Sequence, residues 1–189
     1  MYWNDVWDEA KHRLEAMTPP QRLTFCLACL EWSLRELRDP LRAVVGDERV
    51  RQLRHYLDAV PGHPARVETA KSESELSEEV GELVAAVEDE AEEANGFYDL
   101  GMGVVELLDS LESAGLPARE TYYVASYAYQ AVFTVEVLAS LEETVTETVT
   151  TEMETKNRRC LAAIETQLEL ATAVAAGKNL GDLGLYPRT

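Results

Sequence analysis

Residues 72–112, SESELSEEVGELVAAVEDEAEEANGFYDLGMGVVELLDSLE, hold fourteen acidic residues and no Lys or Arg. Apolar residues recur through this stretch at intervals of three and four, which places them on one face of an α-helix. The Asn95-Gly96 pair interrupts the pattern, and such a pair is typical of a turn. We therefore predict two helices, about residues 74–94 and 98–113, each with one apolar face and one acidic face.

The same helical spacing continues through most of the chain, with Pro, Gly and capping residues between the segments. Before the acidic stretch, the predicted helices are Trp3 to Met17, Pro20 to Arg38, a short one between Asp39-Pro40 and Gly46, and one over 48–60 capped by Asp47. After it, one helix is predicted over 118–142, and a last one passes through Met153 and Val174 and stops at Gly177. Pro61-Gly62-His63-Pro64 is a break, and residues 65–72 form a loop. This pattern predicts an all-α fold, a single-domain bundle of six to eight helices over residues 1–180, with residues 181–189 as a tail.

Residues 118–142 differ from the other segments because apolar side chains surround nearly the whole circumference of the helix. A helix of this kind is covered on several sides, so we place it at the centre of the bundle. Its tyrosines are interpreted as core residues whose hydroxyls reach polar partners at the edge. Cys26 and Cys29 spell C-x-x-C inside an apolar helix, beyond its first turn, and we interpret them as core residues and not as a redox pair.

The net charge of −18 is unevenly distributed along the chain. Residues 1–66 hold ten basic and ten acidic residues, whereas residues 67–189 hold seven basic and 25 acidic ones. A field of this sign repels nucleic acid and anionic membranes, and it favours basic partners or divalent cations. We therefore expect neither a nucleic acid nor a membrane as the partner.

The sequence also bounds the compartment in which we expect the protein. The N-terminus, MYWNDVWDEAKHR, has neither the basic nor the apolar region of a signal peptide. The longest uncharged run, residues 121–135, is shorter than the roughly 20 residues of a membrane span. An odd number of cysteines, three, argues against a disulfide framework. These features together predict a cytoplasmic protein.

Five carboxylates in the acidic stretch are candidate metal ligands: Glu78, Glu79, Glu82, Glu106 and Asp109. Their pattern, Glu-Glu-x-x-Glu followed by Glu-x-x-Asp, resembles the signature of the MazG-like nucleotide pyrophosphohydrolases. That resemblance implies an all-α enzyme in which such carboxylates hold Mg²⁺ against a nucleoside triphosphate, and oxygen ligands suit Mg²⁺. Helical phase places most of the five opposite the apolar stripe of their own helix, and only Glu75 and Glu79 come close to the seam between the helices. A solvated acidic face is the competing interpretation.

A second resemblance covers nearly the whole chain. PPQRLTFCLACLEWSLREL (19–37), GDERVRQLRHYLDAV (46–60) and FYDLGMGVVELLDSL (97–111) resemble successive helices of the YjaG-like bacterial family, domain of unknown function 416. The resemblance implies an all-α cytosolic bacterial protein of about this length. It brings no catalytic residues with it.

These observations lead to one functional hypothesis and two alternatives. The leading hypothesis is a helical module without catalysis or cofactor that binds a basic protein through its acidic face, for example in an immunity- or antitoxin-like role. The first alternative is the Mg²⁺-dependent nucleoside triphosphate pyrophosphohydrolase described above. The second alternative is a structural protein that assembles as a homodimer.

Overall fold

The computed structural model describes residues 1–88, 96–140 and 147–185. Within these ranges every regular element is a helix, so the predicted all-α fold is confirmed. The predicted helical residues 89–94 and 141–142, the turn residue Asn95, and residues 186–189 of the predicted tail lie outside the described ranges.

Five helices precede the loop at residues 60–72. They are α1 (Tyr2–Ala10), α2 (His12–Ala16), α3 (Pro19–Glu36), α4 (Arg38–Val45) and α5 (Asp47–Ala59). The prediction of one helix from Trp3 to Met17 is wrong, because α1 ends at Ala10 and α2 begins at His12, with Lys11 between them. The apolar residues on both sides of Lys11 face the core, so hydrophobic periodicity does not register the interruption.

The ends of these helices differ from the predicted caps at two positions. Asp39 and Asp47 were expected to precede their helices, but α4 begins at Arg38 and α5 begins at Asp47 itself. An acidic residue in the first turn still interacts favourably with the positive end of the helix dipole. Gly46 joins the two helices with a φ of 84°, a conformation that favours glycine.

Five further helices follow the loop. They are α6 (Glu73–Glu88), α7 (Phe97–Ala114), α8 (Ala118–Glu136), α9 (Glu147–Lys156) and α10 (Arg158–Ala175). The predicted last helix is therefore two helices, because Asn157 starts α10. Its side-chain oxygen accepts the backbone N–H groups of Arg159 (2.9 Å) and Cys160 (3.1 Å), which is the geometry of an N-cap. Two 3₁₀ turns, Leu138–Ser140 and Leu180–Leu183, complete the described elements.

The core forms one cluster in which α8 contacts α2, α3, α7 and α10. Its largest buried side chains include Trp3 and Trp7 of α1, Phe25 of α3 and Tyr129 of α8. The rings of Trp3 and Tyr129 are stacked with centroids 5.7 Å apart, and Trp7 lies 5.7 Å from Phe25. Rings in such geometries contribute about 0.5–1.5 kcal/mol per pair beyond the area that they bury. This aromatic cluster joins α1 to the rest of the bundle.

A buried carboxylate also holds the start of α1. Glu154 of α9 is fully buried, and its two oxygens accept the backbone N–H groups of Tyr2 (2.8 Å) and Trp3 (3.0 Å). The hydroxyl of Tyr129 donates to the same carboxylate. The first N–H groups of a helix have no partner within the helix, so Glu154 caps α1 from a distant part of the sequence.

Helices α6 and α7 approach each other closely at a glycine. A Cβ atom at Gly101 would overlap Cγ2 of Val84, far inside van der Waals contact. Glycine in the middle of a helix disfavours helix formation by about 1 kcal/mol relative to alanine. Packing and not helix propensity therefore explains the residue at position 101.

None of the helices in the described ranges has the length and apolar character needed to span a membrane.

Candidate functional site

The candidate metal ligands of α6 lie mainly on its outer side. Glu78 and Glu82 are exposed, and Glu79 is about one-third exposed. The Glu79 carboxylate forms an ion pair with Lys71 in the loop before α6. Burial and the neighbouring Glu79 carboxylate together raise the pKa of Tyr56 on α5. Glu79 therefore faces Lys71 and α5.

The two candidate ligands on α7 lie near a different set of groups. Asp109 is exposed and Glu106 is half-buried. Burial, together with the negative charges of Glu120 and Asp109, raises the pKa of the Glu106 carboxyl. Arg119 on α8 partly offsets this effect. Glu106 and Asp109 are thus near each other, at the side of α7 where α8 begins.

The described residues contain one group of three His, Cys, Asp or Glu side chains whose ligand atoms all lie within 4.8 Å of one another. That group is Glu31, Asp58 and His63, and none of the five acidic candidates belongs to it. Binding of Mg²⁺ by the carboxylates of α6 and α7 stays a prediction.

The group that the structure brings together is a buried charged cluster, formed by Glu31 of α3, Arg54 and Asp58 of α5, and His63 in the turn after α5. Glu31 and His63 are buried, and His63 Nε2 lies 2.8 Å from Glu31 Oε1. Arg54 Nη1 donates to the other Glu31 oxygen at 2.7 Å. Arg54 Nε lies 2.9 Å from Asp58 Oδ1, one helical turn away.

Hydrogen bonds set the orientation of the imidazole. The backbone N–H of Ala65 donates to His63 Nδ1 at 3.2 Å, which leaves Nε2 as the nitrogen that donates to Glu31. Asp58 Oδ1 lies 3.6 Å from Nδ1. The two ring nitrogens therefore face two different carboxylates.

The two carboxylates of the cluster have opposite pKa shifts. Burial alone would raise the pKa of Glu31, but the hydrogen bond from His63 and the charge and hydrogen bond of Arg54 outweigh it, so that pKa lies below its ordinary value. For Asp58 burial prevails over Arg54 and His63, and its pKa is raised. The surroundings of Glu31 therefore favour its charged form, whereas those of Asp58 disfavour the charged form.

Two interpretations of this cluster are a metal site and an ion-pair network. One imidazole and two carboxylates are ligands that a divalent metal accepts. However, the Arg54 guanidinium already contacts both carboxylates and supplies the positive charge that a metal would bring. The His63 side chain has no exposed surface with which to meet a substrate. We therefore interpret the cluster as an ion-pair network that joins α3 to α5 and to the turn after it.

Sequence reasoning missed this cluster, although α3 carries a signal for it. Glu31 follows Leu27 by four residues and precedes Leu34 by three, so it lies on the apolar face of its helix. A charge in that position needs a buried partner. The identity of the partner, His63, does not follow from the sequence because 32 positions separate the two residues.

Tyr129 and the cysteines lie in the core as predicted, whereas the core interpretation is wrong for Tyr123. Tyr129 is fully buried, whereas Tyr122 and Tyr127 are half-buried and Tyr123 is at the surface. Cys26 and Cys29 are buried free thiols, and burial raises the pKa of each. A reactive cysteine has a lowered pKa and some exposure, so this C-x-x-C has the properties of core residues.

Comparison with protein-family models, with curated proteins and with solved structures finds no match for this chain.

Proposed function

We infer that this protein is a binding module for a basic protein, which it contacts through the outer face of α6. The observation that carries this proposal is an acidic stripe formed by Glu75, Glu78 and Glu82. The three residues recur at intervals of three and four, so they share one face of α6, and all three are exposed.

The stripe has little compensating positive charge. The sequence from residue 72 to residue 112 contains no Lys or Arg, and the nearby Lys71 pairs with Glu79. Within the described ranges Glu78 and Glu82 form no ion pair with a basic side chain. Like charges four residues apart on a helix destabilise it by a few tenths of a kcal/mol. A basic partner would remove that repulsion, and the field of the stripe would speed its approach.

An immunity- or antitoxin-like role is the concrete form of this proposal. In that role the acidic stripe would cover the substrate-binding surface of a basic enzyme and inhibit it. The proposal requires no catalytic group in the chain.

Charge reversal with a matched control tests the proposal. The variant Glu78→Lys/Glu82→Lys reverses the stripe, whereas Glu165→Lys/Glu169→Lys makes the same change in net charge at two exposed positions of α10 with the same spacing. The native-host protein that co-purifies with the wild type is identified and purified, and its affinity for the three chains is measured at low and high salt. We expect the α6 variant to lose binding and the α10 variant to retain it, with affinity that falls as salt rises.

Equal loss of binding in both variants would show a general effect of net charge and would contradict the assignment to α6. Binding that does not change with salt, or that survives reversal of the stripe, would also contradict it.

A further inference from the structure

Five arginines line one cleft in this strongly acidic protein. Three of them, Arg35, Arg38 and Arg42, follow one another at intervals of three and four at the end of α3 and along α4. The other two, Arg51 and Arg54, are three positions apart on α5. We call this feature, between α3, α4 and α5, the arginine cleft. Asp47 is its one acidic lining residue among those the structure describes.

The arginines differ in how far the fold already uses them. Arg38 is exposed and has no hydrogen bond or ion pair within the part of the chain that the structure describes. Arg35 has only a long contact, 3.6 Å from its Nη2 to an oxygen of the exposed Glu36. Arg42 pairs with Asp47 through Nε, and among the described residues its two terminal guanidinium nitrogens form no ion pair. These three side chains are the ones with donors to offer a ligand.

The remaining contacts hold the cleft in shape. Asp47 pairs with Arg42 of α4 and lies 3.4 Å from Arg51 Nε of α5, so it links the two walls across the Gly46 turn. Arg54 forms ion pairs with Glu31 and Asp58 of the buried charged cluster, and these fix the orientation of its guanidinium. A guanidinium that is already oriented loses less conformational freedom when it binds a ligand.

The cleft has an apolar floor and a definite size. Leu34 and Val50, each only 5% exposed, lie at its base. Its volume of about 280 Å³ is just below the roughly 300 Å³ at which the usual range of small-molecule sites begins, so it suits only a small ligand. Arginine side chains match the oxygens of phosphate with two parallel hydrogen bonds. We propose that the arginine cleft binds a small organic phosphate, with the phosphoryl group on Arg35, Arg38 and Arg42 and an apolar part on Leu34 and Val50.

Calorimetric titration with simple probes tests this proposal. Phenyl phosphate, inorganic phosphate, phenol and citrate are each titrated into the full chain at constant ionic strength. We expect phenyl phosphate to bind more tightly than inorganic phosphate, and phenol and citrate not to compete with it. This order of affinities is expected because the guanidinium groups of the cleft would bind the phosphoryl group and its apolar floor would contact the phenyl ring.

A single substitution identifies the site. Arg38→Gln removes a guanidinium with no contact in the described fold, so we expect unchanged folding and an affinity for phenyl phosphate that is about tenfold lower, the effect of losing one charge-assisted contact. Arg158→Gln is the matched control, since Arg158 is an exposed arginine on α10 that does not line the cleft.

Three results would overturn the proposal. The first is the absence of phenyl phosphate binding at millimolar concentration, and the second is an equal loss in both variants. The third is concentration-dependent dimerisation, measured by light scattering, that is lost in Arg38→Gln and also in Glu78→Lys/Glu82→Lys. That third result would assign the cleft to the acidic stripe of a second copy of this chain.

Discussion

His63 Nε2 lies 2.8 Å from Glu31 Oε1, and both side chains are buried. The contact joins the turn after α5 to the middle of α3, and Arg54 completes it from the other side of the carboxylate. Breaking a buried pair by removing one partner is far more damaging than losing an exposed pair, because the remaining charge stays buried without compensation.

We therefore expect Glu31→Gln to lower the free energy of unfolding by about 3–5 kcal/mol, the range for a broken buried ion pair. Glutamine keeps the shape of the side chain, so the loss reports the charge. Urea denaturation followed by circular dichroism measures it. Glu78→Gln, an exposed position on α6, should change stability by no more than about 0.5 kcal/mol. Similar values for the two variants would contradict a stabilising role for the buried charged cluster.

The same variant should show a defined dependence on pH. The pKa of Glu31 in the folded protein lies below its ordinary value of 4.5, so its contribution is fully present above that value and is lost as the pH falls through the lower, folded-state pKa. The stability difference between the wild type and Glu31→Gln should therefore be constant from neutral pH to about pH 5 and then shrink. Asp58, whose pKa is raised, is present in both the wild type and Glu31→Gln. The quantity to compare is therefore the difference between their free energies of unfolding at each pH. A difference that grows as the pH falls would contradict the assignment.

Tyr129→Phe tests the carboxylate that caps α1. The Tyr129 hydroxyl donates to Glu154 inside the core, and its removal leaves a buried carboxylate with one donor fewer. We expect the free energy of unfolding to fall by about 1.5–3 kcal/mol, the range for a hydrogen bond to a charged group. The control is Tyr98→Phe at a surface position of α7 that is 39% exposed, where denaturant titration should show little change.

A pair of glycine substitutions tests the close approach of α6 and α7. Gly101→Ala should lower stability by about 1–3 kcal/mol because the new methyl group would overlap Val84, a β-branched side chain with few alternative rotamers. Gly81→Ala on α6, where no atom lies within 4 Å of the added Cβ, should raise stability by up to about 1 kcal/mol through helix propensity. Thermal denaturation of both variants measures the difference. Equal effects would show that packing at Gly101 is unimportant.

The thiols should be unreactive in the folded protein. Burial raises the pKa of Cys160 to about 11 and also raises the pKa values of Cys26 and Cys29 well above their ordinary value, and the thiolate is the reactive form. We expect no reaction with a thiol reagent at about pH 8 in native buffer and three reactive thiols in denaturant. Rapid native reaction of two thiols, followed by an oxidant-induced disulfide, would instead show that Cys26 and Cys29 are a redox pair.

Hydrophobic spacing was enough to predict the fold class and most of the helices. The second helix, predicted to begin at Pro20, begins at Pro19, where Thr18 and Gln21 form a capping box with 2.9 Å between the Thr18 nitrogen and Gln21 Oε1. Hydrophobic spacing failed at Lys11 and Asn157, because the apolar pattern continues through both interruptions. Hydrophobic periodicity indicates which face of a segment is buried. It does not indicate whether the segment forms one helix or two consecutive helices.

The candidate sites were harder to predict from the sequence. The exposed positions of Glu78 and Glu82 followed from helical phase, since each residue has a fixed angle to its own apolar stripe. The buried charged cluster and the arginine cleft depend on how α3, α4 and α5 are placed relative to one another. That placement is decided by tertiary packing between distant residues, and membership of the YjaG-like family, which stays a prediction, would not by itself provide it.

The cap on α1 has a consequence for biosynthesis. Glu154 follows Trp3 by 151 positions, so a ribosome that adds 5–20 residues per second reaches it roughly 8–30 seconds later. Until then the first N–H groups of α1 lack their carboxylate, and Gln167, which accepts a hydrogen bond from Trp3 Nε1, is added later still. The helix that is synthesised first is thus among the last to be completed.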